Sequence, residues 1–332
     1  MSIPIRIAGI GFEVPETVIT NDDLTKIIDT SDEWIKTRTG IERRHVLSGN
    51  ESAVDIGIKA AEKAIKKSKI DVKEIDLIIA AASVEAHAYP STACEMQAAI
   101  GAVNAACFDI TAACSGLIYG LGIARAFIKS QSAKNVLIVA TDAISRSLDW
   151  TDRTTCVLFG DGAGAMMLTI SDDEQDDILA VDLKAEGHLG HFITMPIAGK
   201  NCPLVEPNDE EKMFVKMDGK EVYKYVVTKL PGYIEECVSK SGLKMNEMDY
   251  LVPHQANMRI IEALEKRLEF SPENVISNIK DYANTSAASI PIALVEAVEN
   301  GKMKLPCSAI LTGFGAGMTV GTAVVKLREG IV

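Results

Sequence analysis

Strand-like and helix-like runs alternate along this chain, and they do so twice in the same order. In the first half, residues 5–10 read as a strand and 52–67 as an amphipathic helix rich in small residues. Residues 77–82 read as a strand, 92–100 as a helix, 108–110 as a strand and 115–128 as a helix, with strands following at 135–140 and 164–170. Repeated βαβ units need crossover helices. They predict an α/β fold with a largely parallel sheet and helices packed outside it.

The second half repeats the order. Residues 178–183 read as a strand, 220–241 as a long helix, 251–252 as a strand and 259–268 as a helix. A strand at 275–279, a helix at 285–298 and strands at 308–312 and 319–326 complete it. The run Asn135-Val136-Leu137-Ile138-Val139-Ala140-Thr141 aligns with Ser308-Ala309-Ile310-Leu311-Thr312-Gly313. We read this as an internal duplication with halves at 1–170 and 171–332, divided at the polar stretch 171–177. Residues 187–209 carry Pro196, Pro203, Pro207 and several glycines, and read as an irregular surface loop.

With 332 residues, the chain can bury roughly three-quarters of its unfolded surface without disulfide staples. Its seven cysteines form no CxxC pair and no zinc-like spacing, so they read as reduced thiols of a cytosolic protein. The net charge of −12 argues against general nucleic-acid binding, which wants a basic surface. No uninterrupted apolar stretch approaches the length of a membrane span, and the first residues do not read as a signal peptide.

Three residues at matching strand-to-helix switch points carry the chemistry. Cys114 lies between the strand ending at Ile110 and the helix that follows, among Ala112, Ala113, Ser115 and Gly116, which leave room for a ligand to reach the sulfur. Unpaired backbone N–H groups and the helix dipole at such a switch favour a thiolate. His254 follows the apolar run Tyr250-Leu251-Val252-Pro253, and Asn284 follows the predicted strand at 275–279. Each has a plainer reading alone: an inert core thiol, a satisfied core histidine, a helix N-cap. Together they make a plausible nucleophile set.

Other signals are weaker. Gly9-Ile10-Gly11 lacks the third glycine of a dinucleotide site, and Gly160 to Gly164 lacks the Gly-Lys-Ser/Thr of a phosphate loop. His188 and His191 have no carboxylate cluster to make a metal site with them. Gly313-Phe314-Gly315-Ala316-Gly317 reads either as a tight hairpin or as a turn that brings a backbone N–H close to the sulfur.

The chain closely resembles the 3-oxoacyl-acyl-carrier-protein synthase III family of the thiolase-like fold. The strings that carry the resemblance are DTSDEWIKTRTGIERRH from Asp29, DITAACSGLIYGL from Asp109, TDRTTCVLFGDGAGA from Thr151, VPHQANMRII from Val252, NTSAASIP from Asn284 and GFGAG from Gly313. The match runs from near residue 3 to residue 327. It implies two duplicated halves in a layered α-β-α-β-α sandwich, the first carrying the nucleophilic Cys114 and the second His254 and Asn284.

The resemblance also implies roles. Cys114 would take an acyl group from a coenzyme A thioester, and His254 and Asn284 would drive decarboxylative condensation with malonyl-acyl-carrier protein. The backbone N–H groups of Cys114 and Ala316 would hold the oxyanion. Coenzyme A would lie along Thr30, Trp34, Arg38, Arg153, Gly219 and Asn257, its adenine between Trp34 and Arg153. Tyr89, from the other subunit of a homodimer, and Phe314 would shape the acyl pocket. An acidic carrier protein needs a locally basic face, implied at Lys224, Gln255, Ala256, Arg259, Lys266 and Arg267. No cofactor and no metal are expected, since the coenzyme A thioester is a substrate.

The expected protein is therefore a cytoplasmic, homodimeric acyltransferase that initiates fatty-acid synthesis, with an acetyl-like primer. Its rivals are a specialised synthase of the same family that makes a secondary metabolite, and a non-catalytic acyl-CoA-binding scaffold.

Overall fold

A computed structural model describes residues 3–84, 87–196, 204 and 214–332. Most of the loop expected after Phe192, at 197–203 and 205–209, lies outside them. Residues 187–192 form a tight 3-10 turn, and Ile193–Thr194 pairs with Lys216–Met217.

The first half builds a five-stranded sheet from β1 (Ile5–Glu13), β2 (Leu77–Ala81), β3 (Ala106–Ile110), β4 (Val136–Asp142) and β5 (Gly162–Ile170). Their order is β1-β5-β4-β2-β3. The second half builds β6 (Ile178–Ala185), β7 (Tyr250–Pro253), β8 (Cys307–Gly315) and β9 (Thr319–Leu327), ordered β7-β8-β9-β6. The pairings correspond strand for strand. β2 is parallel to β4 as β7 is to β8, and β5 is antiparallel to both its neighbours as β9 is to both of its own. Each sheet is thus mixed rather than largely parallel, with one reversed strand. For β9 the cause is local, since it folds straight back from β8 through a three-residue turn.

The strand expected at 275–279 is a second correction. Only Val275 bridges to Leu251 there, in the place that β3 takes beside β2 in the first half. The Asn278 N–H goes instead to the Gln255 side chain at 3.1 Å, and the chain turns into a short helix, Ile279–Tyr282.

The helices that matter are α1 (Asp32–Thr39), α2 (Ala53–Ser68), α3 (Thr92–Ile100), α4 (Gly116–Lys129), α5 (Gly219–Lys240), α6 (Met258–Leu268) and α7 (Ser289–Glu299). They stack with the sheets in five layers. Alternation along the strands assigns the faces. Ile79, Ile138, Leu311 and Val325 join Leu121 of α4 and Ile290 of α7 in one central cluster. Ile78, Leu137 and Val139 point the other way, onto Ile56 and Ala60 of α2 and Met96 of α3. Ile310 and Val324 pack likewise onto Val226 of α5 and Leu264 of α6. Strands covered on both faces explain the nearly continuous apolar runs. The central cluster draws on both halves, so neither half packs its α4 or α7 face without the other.

Small residues set how closely the layers approach. A methyl group on Gly9 in β1 would sit 2.3 Å from the Ala64 carbonyl oxygen and 2.7 Å from the Ser68 nitrogen, both backbone atoms of α2. One on Gly57 of α2 would meet the mobile tip of Met96 at 2.2 Å. Gly9→Ala is therefore expected to cost roughly 1–3 kcal/mol by overpacking. Gly57→Ala should be close to neutral, because Met96 can turn aside and the helix gains up to about 1 kcal/mol in propensity. Urea denaturation midpoints separate the two cases, and equal midpoints for both variants would contradict this packing.

Candidate active site

Cys114 sits in the turn Ala113–Ser115 between β3 and α4. Ala113 is held at φ +46°, in the left-handed region. The Ser115 hydroxyl donates to the Ala112 carbonyl at 2.7 Å and lies 2.9 Å from the Thr319 hydroxyl at the start of β9. The β8–β9 hairpin packs on this turn backbone to backbone. A Cβ on Gly315 would stand 2.7 Å from the Cys114 nitrogen, and one on Gly313 would stand 3.1 Å from the Cys114 oxygen. Glycine at both positions is what allows the approach, and it brings Ala316 into the same cavity as Cys114.

His254 continues from β7, its N–H donating to the Thr312 carbonyl at 2.7 Å, and it is 2 % exposed. Its Nδ1 lies 2.6 Å from the Ser289 hydroxyl, which also accepts the Gln255 N–H at 3.2 Å. The Ser289 hydroxyl thus holds the imidazole through Nδ1, and a neutral ring carries its proton on one nitrogen only. Phe314 packs edge-on against the imidazole, ring centroids 5.5 Å apart. Asn284 is bridged to Phe159, donating its N–H to the Leu158 carbonyl and accepting the Gly160 N–H, both at 3.0 Å. Its Oδ1 accepts the Ser286 N–H at 2.9 Å. That bond fixes the amide, so its NH₂ end is the free donor.

Burial dominates the electrostatics. It pushes the Cys114 thiol up to about 12, with Asp142 adding to the rise and Ser286 opposing it. It holds His254 down to about 3. Burial thus opposes the thiolate that the helix terminus favours. Cys114, His254 and Asn284 line one cavity, offering a nucleophile and side-chain donors.

That cavity has a volume of about 670 Å³ and runs from the half-buried Cys114 and the buried His254 and Asn284 to the exposed Arg38 and Arg259. α1 docks on the start of α6, where Gly40 at φ +79° ends α1 against the Met258 side chain. The Arg259 guanidinium donates to the Thr37 carbonyl at 3.2 Å. This contact places Trp34 and Arg38 beside Asn257 and Arg259 on the cavity wall, opposite Gly219 at the start of α5. Arg38 and Arg153 both lie over the Trp34 ring, at 4.5 and 5.1 Å from its centre. An aromatic ring between Trp34 and Arg153 needs about 7–8 Å, two contact distances. Arg153, which also donates to the Asp29 carbonyl at 2.8 Å, must therefore swing out to admit one.

Other expected residues fall elsewhere. Thr30 is partly buried off the cavity, its hydroxyl without a partner. Tyr89 is 87 % exposed and lies off this cavity. Lys224, Lys266 and Arg267 are exposed, and Lys224 is 3.7 Å from Glu221. Gln255 is a correction. It is 1 % exposed, its amide donating to the Pro253 and Ile276 carbonyls and accepting from Ser277 and Asn278. A side chain so enclosed cannot touch a carrier protein; it ties β7 to the chain near Val275. Ala256 is half-buried and lines the cavity instead. Ser286, Ser289 and Asp142 were not singled out in the sequence. The two serines lie within NTSAASIP, and Asp142 ends an otherwise apolar strand with no basic neighbour.

Residues 108–187 match the family model of 3-oxoacyl-acyl-carrier-protein synthase III, and residues 238–327 match that of its C-terminal region. A β-ketoacyl-acyl-carrier-protein synthase III of Xanthomonas campestris is 43 % identical over 321 residues, 97 % of this chain and 98 % of the relative. The chain belongs to the 3-oxoacyl-acyl-carrier-protein synthase III family. The crystal structure of the Aquifex aeolicus synthase III superposes with a TM-score of 0.89 at 43 % identity, covering 97 % of this chain and all of that one. The priming β-ketosynthase of the R1128 polyketide pathway superposes at 0.91, with 31 % identity over 99 % of this chain and 98 % of its own. The thiolase-like fold expected from the sequence is shared with these synthases.

Proposed function

We propose that this synthase condenses an acetyl primer from coenzyme A with malonyl-acyl-carrier protein to give a 3-oxoacyl-acyl-carrier protein, the opening step of fatty-acid synthesis. The observation that carries this reading is the meeting of Cys114, His254 and Asn284 around one cavity that reaches Trp34, Arg38 and Asn257. Cys114 attacks the thioester carbonyl, and the N–H groups of Cys114 and Ala316 receive the oxyanion. Malonyl then loses carbon dioxide, and the Nε2–H of His254 and the amide of Asn284 bind the enolate oxygen. The enolate carbon attacks the acyl-Cys114. Donors fixed before the charge develops suit this step, because they need no reorganisation when it forms. Phe314 shields the imidazole and keeps it dry.

The roles of Thr30, Trp34, Arg38, Arg153, Gly219 and Asn257 toward coenzyme A belong to the same proposal, as do a need for no cofactor and a cytoplasmic location. Among the described residues no helix is long and apolar enough to cross a membrane. The 43 % identity to a β-ketoacyl-acyl-carrier-protein synthase III, against 31 % to a polyketide priming enzyme, supports the primary pathway over the specialised one.

Two surfaces extend the proposal to partners. Among the described residues β3 pairs on one side only, with β2, and leaves Phe108 and Ile110 partly exposed; Tyr89 is exposed as well. An open apolar edge suits a second copy of the chain, whose Tyr89 then limits the acyl pocket. Arg259, Lys266 and Arg267 on α6 with Lys224 on α5 offer basic charge to an acidic carrier protein despite the chain's net −12.

Mixing the protein with acetyl-CoA is expected to add one acetyl group by intact mass, and Cys114→Ala to abolish it. Asn284→Ala should keep that adduct but lose condensation by roughly 10²–10³; condensation at the wild-type rate would remove Asn284 from the mechanism. Light scattering should give a dimer, and acetyl-CoA should turn over far better than octanoyl-CoA. A monomer, or equal use of both primers, contradicts the role given to Tyr89. Lys266→Glu, exposed on α6 and off the cavity, is expected to weaken use of malonyl-acyl-carrier protein, more so at low salt, while acylation by acetyl-CoA stays near normal. Equal loss in both half-reactions, or no salt dependence of the carrier-protein step, counts against the basic face.

A further inference from the structure

One carboxylate stands behind the turn that carries Ala316 and has no part in the steps above. Glu186 is the residue after β6 and lies off the cavity. The ladder between β6 and β9 ends at Ala185 and Thr319. The Glu186 N–H continues it one step further, donating to the Met318 carbonyl at 3.0 Å. That carbonyl belongs to the turn Ala316–Met318, whose Gly317 lies at φ +97°. The 3-10 turn Gly187–Phe192 packs on it, and a methyl on Gly190 would stand 3.9 Å from the Gly317 Cα.

The Glu186 side chain is fastened from the far side. Its Oε1 accepts the Tyr233 hydroxyl at 2.9 Å and the Tyr225 hydroxyl at 3.2 Å, from residues about two turns apart on α5. Its Oε2 lies 3.9 Å from the exposed His188. Tyr225, Tyr233, Leu189 and Phe192 join Phe314 and Met318 in one apolar cluster. The other end of the 3-10 turn is tied to the same helix, since the Phe192 carbonyl accepts the N–H of Asp218, the N-cap of α5, at 2.8 Å.

We propose that Glu186, held by Tyr225 and Tyr233, is a positioning residue that fixes the turn carrying the Ala316 N–H, an inference that rests on the acyl transfer proposed above. The near edge of that turn is tied to the nucleophile, because the Thr319 hydroxyl lies 3.1 Å from both the Ala316 and the Ala112 carbonyl oxygens. A three-residue turn held at one edge can still tilt. The bond from Glu186 to Met318 holds the other edge. An oxyanion donor acts only at hydrogen-bond distance from the oxygen that develops charge, so a small tilt of this turn costs rate. A lone surface carboxylate would contribute little. This one is only 23 % exposed and takes two charge-assisted bonds from a neighbouring helix.

The experiment compares wild type with Glu186→Ala, with Glu186→Gln, and with the double variant Tyr225→Phe/Tyr233→Phe. Three quantities are read: the single-turnover rate of acetylation at saturating acetyl-CoA, the Kd of coenzyme A, and the rate of Cys114 alkylation by iodoacetamide. Alkylation takes place at a saturated carbon and forms no oxyanion. Losing an oxyanion donor outright costs roughly 10²–10³ in rate, so Glu186→Ala and the double variant are expected to slow acetylation about tenfold or more. Their Kd and alkylation rates should stay as in wild type. Glu186→Gln keeps an oxygen acceptor for both hydroxyls and should stay within about threefold of wild type. Hydrogen exchange over residues 185–192 and 315–320 should be faster in the two slowed variants. Acetylation at the wild-type rate in Glu186→Ala overturns the proposal. So does alkylation that falls as far as acetylation, since the fault then lies at the thiol. If Glu186→Ala does not fold, the double variant, which keeps the carboxylate and both rings, decides by the same rates. A wild type that is alkylated but takes no acetyl group contradicts the acyl-transfer reading, and unchanged hydrogen exchange in the variants still overturns the hold on the turn.

Discussion

The molecule depends on one dry layer shared by two helices. α4 and α7 lie between the sheets, each from a different half, and their apolar side chains merge into a single core. The helices meet near their starts. A Cβ on Gly116 would stand 3.4 Å from the Ala287 Cβ and 2.9 Å from that of Ala81. Cys114 lies two residues before one helix, and Ser286 three residues before the other. The close packing of that layer fixes where the reactive groups of the two halves converge, and the glycines of the β8–β9 hairpin close the remaining side.

Burial then sets the chemistry. It makes both the thiolate and the imidazolium costly, raising the Cys114 thiol and lowering His254. Such a site does not store a charge pair; it holds oriented donors for charge that arises during reaction. The second helix supplies several of the holding groups from one short segment. Ser289 engages His254, Ser286 fixes the Asn284 amide through its N–H, and the same Ser286 lines the cavity with Cys114. Substitutions in this segment should therefore disturb several roles at once, and single-residue losses there should not add.

Much of this was legible in the sequence, for physical reasons. Buried strands announce themselves as apolar runs, and α2, α3 and α6 lie within about a residue of their expected bounds because caps such as Ser52 and Asn257 stand at their starts. The reactive trio was legible because strand-to-helix switch points are where such residues are useful. Three things were not. The run at 275–279 has strand composition, but Gln255, from twenty residues earlier, takes the Asn278 N–H. Gln255 itself, a polar residue after a strand, reads as surface until the fold closes over it. The burial that raises the Cys114 thiol was not legible, because the helix dipole is visible in sequence order, whereas desolvation comes from distant residues.

The neutral site is the central claim, and the imidazole of His254 reports on it most directly. ¹⁵N NMR of the histidine side chains across pH 5 to 8 can be assigned to His254 by comparison with a His254→Asn variant. The account predicts a neutral ring protonated at Nε2 that does not titrate in this range. An imidazolium at neutral pH, or a proton on Nδ1, would contradict it.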